Sequence, residues 1–154
     1  MSTAACLPIS DTRVFSLPIR VYWEDTDAGG VVYHGAYVCF LERARSEWLR
    51  TLGVSQREWR EREDLVFVVR GMQLDFLAAA RLDDLLEVES RLVVLGRASL
   101  VFGQRIVRAA DARVLLEASV RVACLTASTF RPRGLPDGLR GRFRAFLQPS
   151  VSEA

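Results

Sequence analysis

Apolar residues recur along the chain with two periods, and each change of period marks an element. Residues 14–23 are rich in Val, Phe, Ile, Tyr and Trp, which predicts a first strand. The polar, glycine-containing stretch 24–30 breaks it. From about Gly35 the spacing becomes helical: Tyr37, Phe40, Leu41, Ala44, Trp48 and Leu52 form one apolar stripe. Gly53 suits the left-handed position that ends a helix. Ser55 and Glu58 make an S-x-x-E capping box, so a short charged helix is predicted through about Arg62. The period then falls to two. Leu86, Val88, Leu92 and Val94 alternate with a wetter set, as do Val114, Leu116, Ala118, Val120 and Val122. Leu65–Phe76 and Ser99–Arg108 also read as strands. Strands with short connections imply an antiparallel sheet, and the long helix must bury its stripe on the concave face. The predicted class is α+β.

Size and composition narrow the chemistry. The 154 residues, half of them apolar, fit one domain with a sizeable core. All 21 basic residues are arginine, which excludes Schiff-base, pyridoxal-phosphate and P-loop-lysine chemistry. His34 is the only histidine, so histidine-rich metal sites are excluded. Cys6, Cys39 and Cys124 form no C-x-x-C pair, and an odd, sparse set fits a reducing compartment. Cys39 reads best as a buried small hydrophobe. Residues 1–12 read as a short disordered lead rather than a secretory signal, and no window approaches ~20 apolar residues. The expectation is a cytoplasmic protein with no metal, cofactor, nucleic-acid partner or membrane span. Net charge is only +2, but residues 128–154 hold five arginines against two acids. The body is nearly neutral and the tail is basic.

The densest chemistry lies in residues 24–35, where two carboxylates, two glycines and the lone histidine fall between a strand end and a helix start. A calcium loop fails here: Gly29 stands where a third oxygen ligand belongs, and Ala36 where the bidentate glutamate should be. In a purely structural role, Asp25 and Thr26 would satisfy loop amides, Asp27 would help cap the helix, and His34 would be a packed residue. In a hydrolytic role, the helix N-terminus keeps Asp27 ionised and offers N–H groups to a developing oxyanion. Asp27 is then nucleophile or general base, and the amides about His34 and Gly35 are the oxyanion donors. Such a site suits a thioester, whose thiolate departs at neutral pH with a pKa near ~8.5. No G-x-S-x-G occurs, which disfavours a serine triad.

The run from Arg20 through Glu24-Asp-Thr-Asp-Ala-Gly-Gly-Val-Val-Tyr-His34, followed by Tyr37 and Leu41-Glu-Arg-Ala-Arg45, resembles the hotdog-fold thioesterases of the 4-hydroxybenzoyl-CoA thioesterase superfamily. The likeness is closest to the Tol–Pal-associated acyl-CoA thioesterases. Further matches are Phe67-Val-Val-Arg70, residues 80–85, 99–107 and 131–136, so the resemblance covers about 14–137. It implies a five-stranded antiparallel sheet wrapped around a central helix, a hotdog domain at 13–137 and a basic C-terminal tail at 138–154. It also implies a symmetric dimer or a tetramer with sites between protomers, and an acyl-CoA substrate. The family's catalytic aspartate falls on Asp27 and its histidine on His34; beside them, Tyr33 stands with His34 and Gly35 as an oxyanion or positioning candidate. One departure is Trp23, where the family often has a tyrosine.

Coenzyme A carries phosphates that arginine forks bind well, so Arg131, Arg133, Arg70 and Arg121 are the candidate contacts. Acyl carrier protein is acidic and is the alternative partner for a basic patch. Two other functions stay open at this stage: a hotdog 3-hydroxyacyl-thioester dehydratase, and a non-catalytic acyl-binding or scaffold subunit.

Overall fold

The structure is a computed structural model and describes residues 13–149. The expected lead at 1–12 lies outside the described residues. Six strands form one sheet: β1 (Phe15–Arg20), β2 (Leu65–Phe76), β3 (Leu85–Leu95), β4 (Ser99–Arg108), β5 (Arg113–Thr126) and β6 (Arg131–Pro132). The order across it is β1-β3-β4-β5-β2, with every pairing antiparallel, and β6 adds two residues beside β5. The five long strands match the predicted set, and β6 is the addition. The sheet curls around α1 (His34–Thr51), which buries Tyr37, Phe40, Leu41, Ala44, Trp48 and Leu49. This is the hotdog architecture.

Gly53, at φ +77°, ends α1 in the left-handed conformation that glycine adopts without a steric penalty. α2 (Gln56–Glu63) follows from Ser55, but the Ser55 side chain makes no capping hydrogen bond, so the S-x-x-E box is not formed. Val94, predicted on the buried face of β3, is 48% exposed because a bulge between Leu92 and Val94 resets the alternation. Cys39 is also exposed rather than buried. It is the helical neighbour of Phe40, a quarter turn off the stripe, and faces away from the sheet.

Two clusters make the core. One surrounds the first half of α1 and includes Val21, Val32, Tyr37, Phe40 and Leu116. The other surrounds the second half and includes Trp48, Leu100, Phe102, Val120 and Phe143. Phe143 belongs to α3 (Asp137–Arg144), a helix that begins at the expected boundary and runs into the expected tail. Leu139 and Phe143 are 2% and 0% exposed, so this segment completes the domain instead of trailing from it. After α3 the chain returns to the sheet, with Gln148 N–H donating to the Leu92 carbonyl at 3.0 Å. No helix among the described residues is long and apolar enough to cross a membrane.

Between the clusters lies a polar link. The Arg45 guanidinium donates to Gln104 Oε1 at 2.9 Å, and Gln104 Nε2 donates to Ser90 Oγ at 2.8 Å and the Leu41 carbonyl at 3.1 Å. Arg45 is only 7% exposed. Its burial lowers the guanidinium pKa, which the nearby Glu42 charge partly restores.

Candidate active site

The loop between β1 and α1 is closed on itself by backbone geometry. A short helical turn, Trp23–Asp25, precedes a bridge between Thr26 and Val32. Inside that bridge, Asp27 N–H donates to the Val31 carbonyl and Gly30 N–H to the Asp27 carbonyl, each at 3.0 Å. Gly30 takes φ +77°, which this tight turn demands and which a side chain would resist. The loop is also fastened from outside. Val32 N–H donates to the Ala80 carbonyl at 2.9 Å, and Ala80 N–H donates to the Tyr37 hydroxyl at 3.0 Å. Burial raises the pKa of the Tyr37 phenol, which keeps it neutral in this role.

The two carboxylates of Asp25-Thr26-Asp27 have different surroundings. Asp25 is 8% exposed; its Oδ2 accepts the Tyr22 N–H and its carbonyl accepts the Tyr33 N–H, both at 2.8 Å. It therefore holds the loop together. Asp27 is exposed, and only its Oδ1 is engaged, by Gly29 N–H at 2.8 Å. Among the described residues nothing donates to its Oδ2. Asp27 does not cap α1, whose N-cap is Tyr33 with no side-chain bond.

His34 opens α1 and is exposed, so it is not a core histidine. Its ring lies 4.3 Å from that of Tyr33, centroid to centroid. Gly35 is fixed by this packing, since a Cβ there would come within 2.6 Å of the Tyr33 ring. The Tyr33 amide donates to the Asp25 carbonyl. The amides of His34 and Gly35 lie in the first turn, where a helix supplies no acceptor of its own. Beside them opens a cleft of about 320 Å³ lined by Val32, His34, Tyr37, Phe76, Leu77, Ala78 and Ala79. The apolar wall from 76 to 79 was not singled out in the sequence. Its only local signal is an apolar run, Phe-Leu-Ala-Ala, past the end of a strand.

The four candidate arginines separate. Arg70 and Arg121 line one hollow. Arg133 instead donates to the Glu63 carbonyl at the end of α2. Two other tail arginines behave alike: Arg140 donates to the Gly96 and Arg97 carbonyls, and Arg142 to the Leu52 carbonyl. Three of the five arginines of 128–154 are thus occupied with backbone carbonyls. Arg131 is exposed on β6 and does not line that hollow, although its neighbour Pro132 does.

The chain is a hotdog-fold member of the thioesterase superfamily, whose family model matches residues 29–115. It is 45% identical over 129 residues to the acyl-CoA thioesterase YbgC of Haemophilus influenzae, covering 84% of this chain and 93% of that protein. It is 47% identical over 134 residues to the acyl-CoA thioester hydrolase YbgC of Escherichia coli O6:H1, covering 87% and 98%. Among solved structures, a probable thioesterase from Bartonella henselae superposes with TM-score 0.75 at 37% identity, covering 80% of this chain and 99% of that one. A 1,4-dihydroxy-2-naphthoyl-CoA thioesterase from Synechocystis shares the fold, with TM-score 0.81 at 23% identity, covering 88% and 99%.

Proposed function

We propose that the protein hydrolyses an acyl-CoA thioester to a carboxylic acid and free coenzyme A, with Asp27 as the acting carboxylate. The observation that carries this reading is the division between the paired aspartates: Asp25 is buried and spent on the loop, while Asp27 is exposed with an unengaged oxygen. Two bacterial relatives of 45% and 47% identity, both named for acyl-CoA thioester hydrolysis, support the substrate class.

In this reading the thioester carbonyl sits at the start of α1, beside the cleft of His34 and Phe76. Asp27 attacks the carbonyl carbon, giving on loss of the thiolate a mixed anhydride that water then hydrolyses to the free acid and Asp27, or it takes a proton from water that attacks the carbonyl directly. In either route negative charge grows on the thioester oxygen, where the His34 and Gly35 amides and the helix dipole stabilise it. The C–S bond breaks and the electron pair leaves on coenzyme A sulfur. No strong general acid is needed, because a thiol pKa is near ~8.5.

The working form is a symmetric homodimer or a pair of dimers. β2 is an edge strand twelve residues long, and its Val69, Met72 and Phe76 are 42%, 36% and 53% exposed. A second copy would cover that edge and close the cleft.

The test is free-thiol release across short, long and aromatic acyl-CoAs, with acyl carrier protein thioesters alongside. Turnover should fall by roughly 10²–10⁴ in Asp27→Ala, the usual range for a lost general base. A full rate in that variant overturns the assignment. Appearance of enoyl absorbance instead of free thiol would favour dehydration.

A further inference from the structure

Most arginines of this sheet and tail have partners. Arg105 and Arg91 pair with Glu89, Arg108 pairs with Asp111 at 2.8 Å, and Arg133, Arg140 and Arg142 donate to carbonyls. Arg70 and Arg121, like Arg113, Arg131 and Arg144, have no guanidinium ion pair or hydrogen bond among the described residues, but they alone of these five share one hollow. Both are exposed, and they line the same hollow of about 320 Å³, together with Ser99, Val101, Ala123 and Pro132.

Local backbone geometry brings them together. Arg121 lies between the core-facing Val120 and Val122, so it stands on the convex face, opposite Gly71 of β2 and Val101 of β4. Arg70 has no cross-strand partner: the β2–β5 register jumps between Val69 and Gly71, which makes Arg70 the bulged residue. Gly71 completes the arrangement. A Cβ there would come 2.6 Å from Arg121 Nη2 and 3.3 Å from its Cζ, so the missing side chain is the space in which the guanidinium lies. Two like charges sharing one hollow repel each other, and among the described residues no carboxylate lines it. An anion with several acceptor oxygens would relieve that repulsion and engage both planar forks.

We propose that Arg70 and Arg121 form a binding site for a terminal phosphate group on the convex face of the sheet, with Gly71 as the floor that seats Arg121. Two sources supply this chemistry: the 3′-phosphate of coenzyme A, which rests on the acyl-CoA reading above, and free inorganic phosphate.

The test is titration calorimetry of the full chain at low salt, with adenosine 3′,5′-bisphosphate and inorganic phosphate as separate probes. Wild type should bind at least one of them. Arg70→Gln and Arg121→Gln should each weaken it about tenfold, the scale of one hydrogen bond to a charged group. Gly71→Ala should weaken binding while leaving Tm in place, because it displaces only the end of a flexible side chain. Tighter binding of the nucleotide assigns the site to coenzyme A, and equal affinity for both assigns it to free phosphate. Binding of neither probe, or unchanged affinity in Arg121→Gln, overturns the proposal. These measurements use no turnover, so a protein that releases thiol yet binds neither probe loses this site and keeps its proposed activity. In the coenzyme A case, Arg121→Gln should raise KM for acyl-CoA about tenfold, with kcat and the KM for the acyl-dephospho-CoA counterpart unchanged.

Discussion

The two ends of α1 are built on one helix and one sheet, yet they face opposite environments. At the C-terminal end, Trp48 is 2% exposed and packs against Phe102 and Phe143, both at 5.3 Å between ring centroids, and against Phe146 at 5.7 Å. α3 and the returning chain seal that end. At the N-terminal end, Tyr22, Trp23 and Tyr33 are 61%, 79% and 47% exposed, and Asp27 and His34 face solvent. The difference shows where the chain concentrates packing and where it leaves polar groups free. A helix N-terminus has unsatisfied N–H groups that a ligand can use, so closing it with side chains would remove its chemistry. The C-terminal end has no such role and is closed by aromatic packing and arginines.

The sharpest way to break this contrast is at Asp27. Asp27→Asn keeps an oxygen for the Gly29 amide, so thiol release should drop by roughly 10²–10⁴ with no change in thermal midpoint. A matching loss of stability would make Asp27 a structural residue instead. At the closed end the effects reverse. Trp48→Ala should cost about 3–5 kcal/mol in denaturant unfolding, because a fully packed aromatic side chain leaves a cavity. Its effect on turnover should be confined to the fraction unfolded.

Between the ends, Gln104→Leu tests the polar link. It strands the buried Arg45 guanidinium and should cost about 1.5–3 kcal/mol by the same measurement. Indifference to this change would mean that Arg45 is satisfied by water.

The smallest effect belongs to the surface. The Arg108 guanidinium beside Asp111 holds its carboxyl down at about 2, from an ordinary 3.8. A folded-state pKa below the unfolded one stabilises the fold at pH above 3.8, and that stabilisation is lost as pH falls toward 2. Asp111→Asn should therefore flatten the acid limb of a Tm–pH curve in that window and shift Tm little at pH 7, Asp111 being exposed.

Much of the fold was legible because its signals are local. Local pattern located α1 to within a residue at each end and placed β2 and β4 at their observed limits. Residues 137–144 gave no such signal. The segment is eight residues long with two glycines, a composition that does not hold a helix in isolation. Burial of Leu139 and Phe143 makes it one. Cys39 and Val94 failed for a related reason: a quarter turn of helix and one bulge each override an average pattern. The site divides similarly. The loop of Asp27 and His34 stood out by composition, whereas the Phe76–Ala79 wall of its cleft is distant in sequence and chemically plain.

By itself the sequence determined the order of elements, the class of fold, the absence of amine and multi-histidine chemistry, and the loop where carboxylates meet a helix start. Tertiary structure decided which of two aspartates is spent and which is exposed, and which arginines have partners. Helix and strand periods are properties of neighbouring residues, fixed by backbone geometry. The arginine partnerships join groups far apart in the chain: Arg45 and Gln104 are 59 residues apart, Arg142 and Leu52 are 90. An arginine bonded to a distant carbonyl and one left facing Gly71 look alike in the sequence. Only the folding of the sheet around α1 separates them.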